Sequence, residues 1–70
     1  MSKYFPLWRE VSRRMQEGED KLTLTFAEVK GVLGFEIDHS FLNNKKELEE
    51  YGYKVGKISL KEQKITFEKI

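Results

Sequence analysis

Apolar residues recur along this chain at two periods, and the switches between them mark six elements. Leu7, Trp8, Val11 and Met15 lie at offsets of one, four and eight, one face of a 3.6-residue turn. Arg9, Glu10, Arg13 and Arg14 fall away from that face. Pro6 suits a first helical turn, where its missing N–H costs nothing. Glu17-Gly18-Glu19-Asp20 is a polar break, so an amphipathic helix is predicted over 6–17. The period then changes to two. Leu22, Leu24 and Phe26 alternate with Thr23 and Thr25, which predicts a short half-buried strand over 21–25.

Thr25-Phe26-Ala27-Glu28 has the spacing of a capping box, in which the Thr hydroxyl and the Glu carboxylate each satisfy a backbone N–H of the other. A second helix is predicted over 27–33, with Phe26, Val29, Val32 and Leu33 as its apolar stripe. Gly34 suits the left-handed C′ position, with Phe35 folding back on Val29. Asp38 is a good N-cap for a third helix, predicted over 39–51 and stopped by Gly52. Phe41, Leu48 and Tyr51 point to one side of it, with Tyr53 covering Leu48. At about 100° per residue, His39, Asn43, Lys46 and Glu50 point to the other.

The remainder reads as a hairpin. Tyr53 and Val55 have one parity and Ile58 and Leu60 the other, so a β-bulge or bend is predicted at Gly56-Lys57. Lys61-Glu62-Gln63-Lys64 is the predicted four-residue turn, since no Gly or Asn favours a tighter one. Pairing around it sets Leu60 opposite Ile65 and Ile58 opposite Phe67, all on one face. The first strand joins the hairpin at its edge, since an isolated hairpin is marginal. The order α-β-α-α-β-β predicts an α+β fold, with three helices on the apolar face of a small antiparallel sheet. That is the connectivity of a winged helix.

Composition narrows the classes. The 70 residues make one domain. At 39% hydrophobic and 13% aromatic the composition is that of a folding chain. There is no Cys and only one His, so neither a disulfide nor a zinc site is expected, and no cofactor is implied. No apolar run approaches membrane length. The first residues lack a signal peptide's apolar stretch, so the expected location is cytoplasmic. The net charge of +1 makes no strong electrostatic statement about partners.

Several short motifs recur in a known group. Lys3-Tyr4-Phe5-Pro6-Leu7-Trp8, Leu24-Thr25-Phe26-Ala27-Glu28-Val29 with Leu33-Gly34, Gly52-Tyr53-Lys54-Val55 and Ile65-Thr66-Phe67 span nearly the whole chain. Together they resemble a family of small bacterial and phage domains without an assigned activity. The shared pattern is Tyr-x-Pro-Leu, Leu-Thr-Phe-x-Glu-Ile followed by Leu-Gly, Gly-Trp-x-Val and a final Val-x-Phe. Many of those relatives carry a basic central helix containing Trp-Trp-Asn. Here Ser40-Phe41-Leu42-Asn43-Asn44-Lys45-Lys46 occupies that region in a shorter form without the Trp pair. The resemblance implies a fold and carries over no chemistry.

A catalytic site is hard to assemble from these residues. Asp38, His39 and Ser40 are consecutive, so they cannot converge as a triad; a helix cap with an exposed His is the simpler reading. Gly31 and Gly34 flank a helix end and form no phosphate loop. The chain is therefore not expected to be an enzyme.

Duplex DNA is the sharper expectation. In a helix-turn-helix the second helix presents its outward face to the major groove. Here that face carries His39, Asn43 and Lys46, flanked by Leu42 and Asn44. Asn can read adenine, and Lys guanine or phosphate. Lys45, Lys61 and Lys64 are the expected phosphate contacts, the latter two at the wing, with Arg13 and Arg14 as further candidates. Charge works against strong binding: residues 41–70 hold seven basic against five acidic side chains, and Glu47, Glu49 and Glu50 crowd the helix end. Binding as a homodimer or within a complex would let weak contacts add. The other class is a protein-interaction module. Tyr4, Phe5, Trp8, Phe35 and Tyr53 are many aromatics for so small a core. Trp8 is expected inward, and Tyr4 and Phe5 are the candidates for a partner-facing patch.

Overall fold

A computed structural model describes residues 2–70. Helix α1 (Phe5–Met15) leads to strand β1 (Lys21–Thr25), helix α2 (Phe26–Leu33), helix α3 (His39–Asn44), a 3₁₀ helix (Lys45–Tyr51) and the hairpin β2 (Tyr53–Ser59) and β3 (Lys64–Lys69). The expected α+β class and the order α-β-α-α-β-β are both found. The strand order is β1-β3-β2, antiparallel throughout, so the last strand is central. β1 runs over its predicted span, Leu22 opposite Phe67 and Leu24 opposite Ile65.

Local chemistry explains the boundaries. Pro6 sits in the first turn of α1, which ends at Met15, two residues before the predicted Glu17, and Gly18, at a φ of 106°, closes the turn that follows. The capping box forms in full: the Glu28 N–H donates to Thr25 Oγ1 at 3.1 Å, and the Thr25 N–H donates to Glu28 Oε1 at 3.0 Å. It turns the chain from strand into helix with no intervening loop. Gly34 and Gly52 hold φ values of 83° and 89° at the ends of α2 and the 3₁₀ helix, a region that only Gly enters freely.

Two predicted features are corrected. The single helix over 39–51 is α-helical only to Asn44 and then tightens into 3₁₀. The Asn44 side-chain amide donates to the Ser40 carbonyl at 2.8 Å. Short amide side chains compete in this way with the helical ladder and favour helix ends. Phe41 and Leu48 are buried as expected, whereas Tyr51 is 38% exposed. The hairpin register is also different. Ile58 pairs with Ile65 and Val55 with Phe67, with the expected bulge between Val55 and Ile58. The turn is therefore 60–63. Ser59 opens it, its hydroxyl accepting the Glu62 N–H at 3.1 Å, and Gln63 closes it at a φ of 55°. The slip is two residues, so every strand side chain keeps its face. Leu60 alone changes place, from the core face to the turn, where it is 78% exposed.

The core forms between the helices and one face of the sheet. Leu7, Trp8, Val11 and Met15 of α1 meet Leu24, Val29, Phe41, Leu48, Tyr53, Ile65 and Phe67, all buried. Tyr4 is also fully buried, contrary to the expected partner-facing patch. Its ring lies edge-on to Phe41 at 5.5 Å and near Trp8 and Phe35. Phe5 is half-buried, with the Arg9 guanidinium over its ring at 5.6 Å. The aromatics thus serve the core, Trp8 inward as expected. Among the described residues no helix is long and apolar enough to cross a membrane.

Candidate functional site

Six residues are too few for a helix to stand on its own, so tertiary ties must hold α3. Phe41 plugs it into the aromatic cluster, 5.8 Å from the Trp8 ring. Asp38 caps it: Oδ1 accepts the Ser40 N–H at 2.9 Å and the Ser40 hydroxyl at 2.6 Å. The buried Tyr4 hydroxyl reaches the same pair, 2.6 Å from Ser40 Oγ and 3.2 Å from Asp38 Oδ1. Lys3 lies 3.6 Å from Asp38 and over the Phe35 ring. One turn on, the Trp8 indole N–H donates to Glu47 Oε1 at 2.9 Å, and the Ser2 hydroxyl donates to the same oxygen. Glu47 is thus half-buried and spent on mounting the segment, which corrects its expected place in an acidic crowd with Glu49 and Glu50. A buried indole requires an acceptor, and that requirement was the available signal.

These ties set the carboxylate acidities. The Ser40 hydroxyl and N–H, with Lys3 behind them, hold Asp38 at about 2. Hydrogen bonds from Arg13 and Arg14 hold Glu10 at about 2. The Ser2 hydroxyl and Trp8 indole keep Glu47 below its usual range. The folded-state values are depressed, so the stability they contribute is present above the ordinary values of 3.8 for Asp and 4.5 for Glu. It is lost as the pH falls from there toward about 2. Chemical denaturation across that window is expected to show falling stability. Asp38→Asn, which keeps a good cap, is expected to flatten the slope; an unchanged slope would contradict the assignment.

All six residues singled out for nucleic acid, His39, Asn43, Lys45, Lys46, Lys61 and Lys64, are exposed. Among the described residues none of their side chains has a hydrogen-bond or ion-pair partner. Of the other basic side chains, Lys3, Arg13, Arg14, Lys21 and Lys30 are ion-paired, whereas Lys54, Lys57 and Lys69 on the hairpin strands have no such partner among the described residues. Arg13 and Arg14 bind Glu10 at 2.7 and 2.6 Å, so a phosphate contact there would compete with those ion pairs. Lys30 meets Glu36, and Lys21 meets Glu68.

Of this set only His39 lines a groove; Asn43, Lys45, Lys46, Lys61 and Lys64 lie outside it. An open groove runs between the start of α3 and the hairpin turn. His39, Phe41 and Leu42 form one wall, Ile58, Leu60 and Gln63 the other, with Phe26 and Ile37 between. The turn is tethered: the Phe26 N–H donates to the Gln63 carbonyl at 2.8 Å, which pins the hairpin tip to the start of α2. Lys61 follows Leu60 in that turn. Lys64 alternates with the buried Ile65 and so projects from the open face of the sheet, opposite the helices. Lys45 and Lys46 begin the 3₁₀ helix and do not line the groove. The apolar lining was missed in the sequence: Leu42 reads there as a flank and Leu60 as a core residue. Ser59, a turn-opening residue, was the signal for Leu60.

Compared with protein-family models, curated proteins and solved structures, the chain matches none.

Proposed function

We propose that this chain is a non-enzymatic, DNA-associated module of the winged-helix type. The observation that carries the proposal is the groove itself. It sets the exposed face of α3, the second helix of the α2–α3 pair, beside a hairpin turn fixed to the same body. His39 and Asn43, four residues apart on α3, are free to reach base edges, and Lys46 continues that side of the chain. Lys45 and Lys61 are the phosphate contacts, with Lys64 displaced to the open sheet face. Side chains left without internal partners lose nothing internal on binding, while the paired arginines of α1 would have to break ion pairs first.

The motif resemblance supports the same placement of the chain among small bacterial and phage domains. Its shared residues carry structural jobs here: the Thr25–Glu28 box, the left-handed glycines Gly34 and Gly52, and the buried Phe67. The proposed module is cytoplasmic, works alone weakly, and gains grip as a homodimer or inside a complex. Titration of a fluorescent duplex with the chain is the test. Binding is expected at low salt and is expected to weaken steeply as salt rises, because each neutralised phosphate releases a counterion. Absence of binding at low salt would contradict the proposal.

A second reading, a protein-docking module, now rests on Leu42 and Leu60 in the groove, since the aromatics first considered for it are largely buried.

A further inference from the structure

The sheet has two open edges, β1 and β2, and they are built differently. In antiparallel pairing alternate residues turn their backbone groups toward the neighbouring strand, and the others turn theirs away. Flanking bonds set the phase on β1: the Lys69 N–H donates to the Asp20 carbonyl at 3.1 Å, and the Phe26 N–H to the Gln63 carbonyl at 2.8 Å. With the register of β1 on β3, this aims the backbone groups of Leu22 and Leu24 at β3 and those of Lys21, Thr23 and Thr25 at the open edge. Thr25 is already occupied. Its N–H donates to Glu28 Oε1 at 3.0 Å, and as N-cap its carbonyl starts α2. The free edge is therefore Lys21 and Thr23, each with one N–H and one C=O turned outward.

β2 carries devices that keep an edge unpaired, a bulge at Gly56-Lys57 and lysines at 54 and 57. β1 has neither a bulge nor a proline. Its one charge, Lys21, lies 4.0 Å from Glu68 on the neighbouring β3, away from the open edge.

The free edge is complementary to itself. About a two-fold axis at residue 22, Lys21 of each copy stands opposite Thr23 of the other. Each such pair exchanges both N–H···O bonds, so every free group of both edges is used. Lys21 faces a threonine and never its own copy. Leu22 then meets Leu22 of the second copy as a non-hydrogen-bonded pair, the kind in which side chains come closest. Leu22 has surface to bury there. It is only partly covered by the core, and it lines an open hollow with Arg13, Arg14, Glu17 and Glu19. Two cations and two anions rim that hollow, so two copies meet across a neutral patch. The register centred on Thr23 instead would need the Thr25 N–H, which Glu28 holds. A peptide strand would satisfy one edge; a second copy satisfies two and brings a leucine already in place against Leu22.

We infer that the chain pairs with a second copy of itself through β1, joining two three-stranded sheets into one of six strands. This goes beyond the DNA-binding proposal and does not depend on it.

A concentration series of the full chain, without DNA, is the test. Sedimentation equilibrium is expected to show the mass rising from 8.3 kDa toward that of a dimer. Amide exchange at Lys21 and Thr23 is expected to slow about fivefold where four chains in five are paired, since only the unpaired fraction exchanges there. Exchange at Tyr53 and Val55, on the opposite edge, is expected to stay unchanged. Thr23→Pro removes an edge donor at a position where the missing N–H faces outward, and is expected to stay monomeric. Thr23→Val keeps the donor and is expected to pair as before. A single 8.3 kDa species up to about 1 mM overturns the inference. So does association that leaves the Lys21 and Thr23 amides unprotected, or pairing that persists in a folded Thr23→Pro. If Thr23→Pro does not fold, the exchange map of the unaltered chain decides. No duplex enters the experiment, so its failure leaves the DNA-binding proposal standing, and a failed duplex titration leaves this one.

Discussion

Phe41→Ala is expected to unfold much of the population at 25 °C. Removing a fully buried phenylalanine costs about 3–5 kcal/mol, and a chain this small has a total on the order of 5 kcal/mol. Phe41 is the one fully buried side chain of α3 and the hub between the Tyr4 and Trp8 rings. Without it, six residues of helix are held only by the Asp38 cap and the Tyr4 and Glu47 hydrogen bonds, which a loosened backbone cannot keep aligned. Urea denaturation followed by circular dichroism measures the loss directly. Phe41→Leu is expected to cost much less, about 1–1.5 kcal/mol, because most of the volume remains. A loss below about 1 kcal/mol for the alanine variant, far outside the usual range for such a truncation, would mean that α3 does not dock on this cluster.

Lys46→Glu is expected to abolish duplex binding while leaving stability nearly unchanged. Lys46 is exposed and, among the described residues, has no partner to lose. Surface substitutions of that kind usually stay within about 0.5 kcal/mol. Placed against phosphate, the reversal replaces an attraction with a repulsion in a module that has few cations to spare. Lys46→Gln separates charge from shape. It is expected to weaken binding on all sequences and to lower the slope of log affinity against log salt by about one. Duplex titrations at three salt concentrations read both effects. Undiminished binding by Lys46→Glu would put the interface elsewhere.

The fold was legible where local chemistry and packing agree. Thr25 and Glu28 specify a turn between strand and helix by hydrogen bonds three residues apart, and alternation in 21–25 fixes β1. The hairpin register was not, because a two-residue slip leaves every strand face unchanged and so passes the test of facing residues. The observed turn is marked by local features the facing test ignores: Ser59 accepting the Glu62 N–H, and Gln63 at a φ of 55°. The break in the third helix was similarly local, an Asn44 side-chain bond that a hydrophobic pattern does not register. Tyr4 and Glu47 read as surface residues because their partners, Ser40 and Trp8, lie far away in sequence. Of the site, the exposed polar face of α3 was legible from periodicity. The apolar groove was not, since it depends on where the hairpin turn falls.

One titration bears most directly on the function: backbone amide shifts of the isotope-labelled chain with a generic duplex, at low and moderate salt. The expected result is salt-sensitive shifts at His39, Leu42, Asn43 and Lys46 and at the turn from Leu60 to Gln63, with the α1 face unmoved. Shifts confined to the open sheet face, or none at high duplex concentration and low salt, would contradict it.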